Sequence, residues 1–432
     1  MQRRFAVVAA SQRNLNKGEL RLFQGKNERR CVLIKLPRDV EFIIEKMNKS
    51  GERADVVGGC VRDFLLGKAP DDFDITTSAS PEKTKEIFAD FKTVDTGIKH
   101  GTVTLVLNHT PYEITTYRID GDSKDNRRPE SVTFSKKIED DLGRRDFTMN
   151  AISYNPRDGI TDPFGGVADI KAGIIRAVGD ARRRFTEDAL RILRAIRFSA
   201  RLGFRIEKGT AEALTEKRRL LENVSAERIF VEWKKLLEGD FARGVIEEYL
   251  SVITVFLPEL APISDKKIPK LDSLSASERS ILLFCLAGKD SSEYATAMSR
   301  LKTDNAYKSH GKQTLDCIAF VENNSTNLEN KADLTILLYN FGENATKSAL
   351  NILLSLDRAS QSPISLLSKM LAEGVVYKLC DLAVDGKDLA SLGLAGKEIG
   401  STLGSLLRRV MSGELKNERE ALIAYAKGVL NN

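Results

Sequence analysis

What this chain of 432 residues lacks narrows its identity first. No apolar run reaches the roughly 18 to 20 residues that a membrane-spanning helix needs, so a soluble protein is expected. The cysteines Cys31, Cys60, Cys285, Cys317 and Cys380 stand far apart. They have neither the paired spacing of a zinc site nor the density of a disulfide scaffold, which predicts a reducing cytoplasm. The N-terminus has no apolar segment with a cleavage site, and this argues against a secretory signal. A Walker P-loop is absent, as is the glycine fingerprint of dinucleotide-binding folds, so kinase and dehydrogenase readings lose their main support.

What is present describes an ordinary globular protein, with 42% hydrophobic and 30% charged residues. The length predicts two to four packed units. A net charge of +6 permits an anionic partner, and a solvated lysine-rich surface explains it equally well. Val40, Ile43, Ile44 and Met47 recur at helical spacing, with Ser50-Gly51 as the stop. A strand over 54–57 then runs into Gly58-Gly59, and short strands are expected at 73–76, 102–107 and 112–118, with a helix from Pro81 to Phe88. From about Phe185 strand signals nearly vanish and helical periods continue to the end. This is an α+β plan: a small-sheet N-terminal unit followed by helices.

Asp72-Phe73-Asp74 places two carboxylates two residues apart. On a strand the period of two would put both on one face, where their repulsion is relieved by shared divalent cations; Mg²⁺ takes one or two carboxylates plus substrate phosphates. Taken alone, such a pair is more often a solvated turn. Its neighbour Gly58-Gly59-Cys60-Val61-Arg62-Asp63 changes that, because glycines let backbone amides approach a phosphate and Arg62 can pair with phosphate oxygens. Together the two segments describe a triphosphate clamp beside a metal site.

In chain order, Gly58-Gly59-x-x-Arg62-Asp63, Asp72-x-Asp74, Arg144-Arg145-Asp146-Phe147-Thr148-x-Asn150-Ala151, Asp162-Pro163 with Gly165-Gly166, and Glu187-Asp188-x-x-Arg191 resemble the class II CCA-adding tRNA nucleotidyltransferases and poly(A) polymerases, in their bacterial type. The match runs over about 36–240, with a weaker echo in Gly386-x-Asp388-Leu389 and Gly396-Lys397-Glu398-Ile399-Gly400. The resemblance implies addition of cytidine, cytidine and adenosine to tRNA from CTP and ATP, with Mg²⁺ and no nucleic-acid template. It implies a polymerase-β-like nucleotidyltransferase head over 37–179, a helical neck over 180–240, and a tRNA-binding body and tail over 241–432. No protein partner is implied.

On that resemblance Asp72 and Asp74 are the catalytic metal ligands of a two-metal site. Gly59, Arg62 and Arg145 would hold the triphosphate, with Asp146 and Asn150 contacting the sugar or orienting the clamp. Asp188, Arg191, Arg194 and Arg197 would lie along one drifting helix face, with Asp188 and Arg191 pairing to the Watson–Crick edge of the incoming base. Glu113 is a candidate third carboxylate. The polar segment 120–143, with Arg127, Arg128 and Pro129, reads as a lid or as a solvated loop. The basic residues Arg3, Arg4, Arg13, Lys17, Arg21, Lys26, Arg29 and Arg30 lie in an extension over 1–36, expected to be disordered, which is an RNA-touching arm or dispensable. Gly396 opens a tail helix, as a structural turn or as a contact to a tRNA phosphate.

Several alternatives remain at this point. The product could be narrower, as in A-adding or CC-adding enzymes, or a poly(A) tail. A fused phosphohydrolase is disfavoured, because only His310 lies beyond the head and a His–Asp metal site needs several histidines. From a different class, a catalytically silent tRNA-binding protein would have no use for the clamp.

Overall fold

The computed structural model describes residues 34–121 and 132–430. Residues 1–33 of the basic extension and the Arg127-Arg128-Pro129 part of the lid reading therefore lie outside the described residues, while Ile34 and Leu36, at the end of that extension, are buried. The chain forms two compact units: the residues up to Ala195 together with Phe204–Asn223, and Ile196–Gly203 together with the residues from Val224 onward.

The first unit opens with α1 (Arg38–Lys49), which buries Val40, Ile43, Ile44 and Met47, the stripe its periodicity predicts. Then follow β1 (Ala54–Val57), α2 (Gly59–Leu65), β2 (Ile75–Thr77), α3 (Pro81–Ile87), β3 (Lys92–Gly97), β4 (Thr102–Leu107) and β5 (Thr110–Thr116). Asn108 and His109 adopt φ of 47° and 65°, the left-handed pair that a two-residue hairpin turn requires between β4 and β5. Next come β6 (Arg118–Asp120), β7 (Val132–Phe134), α4 (Ile138–Gly143), β8 (Ser153–Asn155), β9 (Gly159–Thr161), α5 (Gly166–Ala172), β10 (Ile174–Ile175), α6 (Ala181–Glu187) and α7 (Leu190–Leu202). The region read as an irregular lid thus carries β7 and α4. A short strand, β11 (Arg205–Ile206), pairs in parallel with β10, a strand that two residues without a turn signal could not announce.

Among the described residues the main sheet runs β3-β4-β5-β2-β1-β8-β9. Its β1 is antiparallel to β2 and β8, and β2 is parallel to β5. This arrangement gathers one set of strand ends. Where β1 finishes, β2 and β8 begin, and β5 runs past at Glu113 and Ile114. Four segments far apart in sequence therefore meet at a single edge.

Central β1 is buried along its whole length, including Asp55. A buried carboxylate must be paired, and Asp55 accepts two hydrogen bonds from Arg53 at 2.9 Å and one from the Tyr117 hydroxyl at 2.8 Å. Beneath the strand end, Val57, Tyr117, Ile138, Leu142, Ala151 and Val178 pack as one apolar cluster.

The second unit shows only helices and turns among its described residues. Trp233 is fully buried, and buried Arg279 donates to the carbonyls of Leu271, Leu237 and Gly239. The long stretch Lys331–Ser355 breaks at Gly342, whose φ of 77° no helix contains. Near the C-terminus Leu389, Leu406, Leu407 and Leu422 form a separate core, against which Ile399, Leu403 and Val410 pack as their spacing predicts. Gly396 does open that helix, Lys397–Met411, with φ 54°. No helix among the described residues is long and apolar enough to cross a membrane.

Candidate active site

The acidic pair does not lie on a strand. β2 begins at Ile75, and Asp72 and Asp74 occupy the extended segment before it, exposed to solvent. The ladder still reaches Asp74 through its carbonyl, which accepts from the Val57 amide at 3.0 Å. Two acids at the mouth of a sheet are easily hydrated, so a strand can end there without burying charge. Because Ile75 is in register with Ile114, Asp74 and Glu113 occupy the preceding positions of two parallel strands. The Asp74 carboxyl is pushed above its usual range, first by the protein that crowds it and then by the like charges of Asp72, Glu113 and Asp141, with the Arg145 guanidinium pulling the other way.

At the end of β1 the chain turns at Gly58, with φ 81° and ψ −124°. Two requirements fall on this residue. An L side chain rarely adopts that conformation, and a Cβ there would sit 2.8 Å from Arg145 Nη1. The Gly58 amide donates to the Ile152 carbonyl at 3.1 Å, which ties the turn to the start of β8.

Arg144 and Arg145 follow helix α4 rather than opening one. Their anchor is Asp141, fully buried, which takes Arg144 at 2.9 Å and Arg145 at 3.4 Å. Asp141 was missed in the sequence, although its i, i+3, i+4 spacing to the two arginines was a usable signal. Arg145 Nε is buried with no hydrogen-bond partner among the described residues, a donor beside the acidic pair waiting for an acceptor.

Arg62 is buried and held by Asp63 through Nε at 2.9 Å and by Asn150 Oδ1 through Nη1 at 2.8 Å. Asn150 Nδ2 donates in turn to Asp146 Oδ1 at 3.0 Å. Asp146 Oδ2 receives Arg194 Nε at 2.8 Å and Nη2 at 2.7 Å. Burial alone would raise the Asp146 pKa, but Arg194, the Asn150 amide and the charge of Arg191 outweigh it and hold it at about 2. The sign follows: the ionised form is favoured in the folded state, so the contribution is complete above the unfolded carboxyl range and is lost as pH falls from about 4 towards 2. It amounts to about 2 kcal/mol. Replacing Asp146 by Asn should therefore destabilise the protein at pH 7 and flatten acid unfolding between pH 4 and 2, read from urea midpoints at each pH; an unchanged acid limb would remove Asp146 from that role.

The residues expected to read the base lie at and after the start of α7. Asp188 precedes α7 and caps it, its Oδ1 accepting from the Leu190 amide at 3.2 Å. Arg191 donates to Glu187 at 3.2 Å and to the Arg144 carbonyl at 2.8 Å, so it is oriented by two segments. Arg194 is committed to Asp146. Arg197 is buried, paired with Glu232 at 2.5 Å and stacked on the Phe198 ring. The helical period that suggested a common face carries it out of register with Arg191, since successive steps of three drift by about 60°.

Among the described residues no cluster of three or more His, Cys, Asp or Glu could by itself enclose a metal ion. The donors available are the hard carboxylate oxygens of Asp72 and Asp74. These suit Mg²⁺ completed by substrate phosphates, and not zinc.

A family model of the poly A polymerase head domain matches 54–176, one of the RNA and SrmB-binding site of polymerase A matches 203–263, and one of tRNA nucleotidyltransferase domain 2 matches 273–426. The CCA-adding enzyme of Geobacillus thermodenitrificans is 37% identical, over 89% of this chain and 95% of its own. That of Lactobacillus helveticus is 35% identical with the same coverage. The crystal structure of the Bacillus stearothermophilus CCA-adding enzyme in complex with CTP superposes with a TM-score of 0.76 at 34% identity, over 91% of this chain and 97% of that one. With the glycine turn, the acidic pair and the arginine ladder at one sheet edge, this chain belongs to the CCA-adding enzyme family.

Proposed function

We propose that the chain adds cytidine, cytidine and adenosine to the 3′ end of tRNA, using CTP and ATP and releasing pyrophosphate. The observation that carries this is the convergence of Gly58, Asp74 and Arg145 at one sheet edge, in a chain 34–37% identical to the three CCA-adding enzymes named above over about nine-tenths of its length. The tRNA 3′ hydroxyl attacks the α-phosphorus, the bond to the bridging oxygen breaks, and pyrophosphate leaves.

Each group then has a task. Asp72 and Asp74 would hold two Mg²⁺ ions, which would supply Lewis-acid activation of the attacking hydroxyl and neutralisation of the leaving pyrophosphate. Glu113, level with Asp74, assists as a third carboxylate. Gly58-Gly59 leave room for the triphosphate, and Arg145 offers its unpaired Nε to phosphate oxygens. Arg62 fixes the same arm from below. Asp188 and Arg191 read the base, since an acceptor beside a donor matches the amino group and ring nitrogen shared by cytosine and adenine. Asp146 and Arg194 bound the sugar side, and Arg197 is left to hold Glu232. Most of the rate enhancement on this reading is positioning and charge stabilisation. The free cysteines among the described residues, Cys60, Cys285, Cys317 and Cys380, support a cytoplasmic setting.

The test supplies Mg²⁺ with tRNAs ending before the first C, at CC and at CCA, and CTP, ATP or both. Completion of the first two with both nucleotides, and no extension of the third, is the expected result. Extension of the CC-ending tRNA alone would replace this reading by A addition. No extension of any tRNA would favour a silent binder.

A further inference from the structure

Asn150 lies where two arms of the candidate site meet. On one side is Arg62 and on the other Asp146, itself clasped by Arg194. Asn150 is 5% exposed and sits in the tight turn Thr148–Asn150. That turn is locked on its far side, where the Thr148 hydroxyl donates to Asp169 at 2.7 Å and the Thr148 amide to the Arg176 carbonyl at 2.9 Å.

The chemistry of the two neighbours fixes which way the amide faces. A guanidinium can only donate, so Oδ1 must face Arg62. Asp146, held ionised, can only accept, so Nδ2 must face Asp146. No other side chain of this size presents an acceptor and a donor on one rigid plane. Aspartate would serve Arg62 and repel Asp146, leucine would serve neither, and glutamine would need another methylene in a packed turn.

We propose that Asn150 is a positioning residue that sets the angle between the triphosphate arm and the sugar and base arm, so that a nucleotide engaging both is bound by parts already aligned. This rests on the nucleotidyltransferase reading above. It assigns Asn150 no contact with the reacting atoms. Its effect is on preorganisation, because Arg62 and Asp146 lie on segments 84 residues apart in the sequence and the Asn150 amide bonds to both.

The experiment compares wild type, Asn150→Asp and Asn150→Leu in full-length protein with Mg²⁺, measuring calorimetric affinity for CTP and for inorganic tripolyphosphate, along with Tm and the KM and kcat of CTP addition. Tripolyphosphate probes the phosphate contacts, Arg62 with Arg145 and the Gly58-Gly59 turn, without the sugar and base. Asn150→Asp keeps those contacts, so its tripolyphosphate affinity should stay within about threefold of wild type, while CTP affinity falls and KM rises by about tenfold or more, the scale of one charged hydrogen bond. Asn150→Leu should lose about tenfold on both probes. A merely structural asparagine predicts instead that Asn150→Asp loses the two probes in parallel with its drop in Tm. That result, or wild-type CTP affinity in Asn150→Asp, overturns the proposal. A wild-type protein that binds neither probe and extends no tRNA overturns the nucleotidyltransferase reading itself, which separates the two failures.

Discussion

Alanine at Asp72 or at Asp74 is expected to cut nucleotide addition by about a thousandfold or more while leaving the protein folded, since about 4 kcal/mol of charge stabilisation disappears with either ligand. Both side chains are exposed, in an extended segment outside the sheet. Neither supports the core, and removing one of two like charges relieves repulsion. The Tm should therefore change by no more than a surface substitution allows, about 0.5 kcal/mol in stability. Addition of labelled CMP to tRNA, measured beside thermal unfolding, checks both halves. Activity surviving in either variant would show that these carboxylates do not hold the metal. Lost activity accompanied by unfolding would contradict the exposed position seen here.

The largest effect on stability is expected at Gly166. A Cβ there would lie 2.1 Å from the Thr148 carbonyl oxygen and 2.7 Å from its carbon. These are backbone atoms, and they cannot swing aside, because Thr148 is bonded to Asp169 and Arg176. Gly166→Ala should destabilise by about 3 kcal/mol, the upper range for overpacking, and should weaken CTP binding by displacing Asn150 two residues on. The neighbouring Gly165 makes an internal control. Its φ is 74° with nothing within 4 Å of a built Cβ, so Gly165→Ala should cost only the conformational strain, about 1 kcal/mol. Denaturant midpoints of the two variants decide the matter: equal losses would mean that the close approach at Gly166 is not what the residue is for.

Much of the head was legible because its signals are local. The apolar stripe of α1 and the four residues of β1 each follow from spacing within a few residues. So does the acidic pair as a pair. What could not be read locally was pairing across the sheet. That Asp74 sits outside β2 depends on where hydration wins over the ladder, and that Glu113 stands level with it depends on the parallel register of β2 and β5. The partner of Arg197, Glu232, lies on a different helix that no spacing rule connects to it. Asp141 and Asn150 are intermediate. Their residue types and offsets were visible, yet only the fold reveals that one anchors two arginines and the other bridges two arms.

The succession Asp63, Arg62, Asn150, Asp146, Arg194 also orders events in time. A ribosome moving at about 5–20 residues per second needs on the order of ten seconds between making Arg62 and making Arg194. In the last part of that interval, once Asp146 has been made, the acidic pair already exists on the nascent chain while Asp146 still lacks the cation that keeps it ionised in a buried place. An unfinished chain thus carries the reactive corner without a completed pocket around it. Competence arrives late and in one step, when the last arginine of the series is delivered.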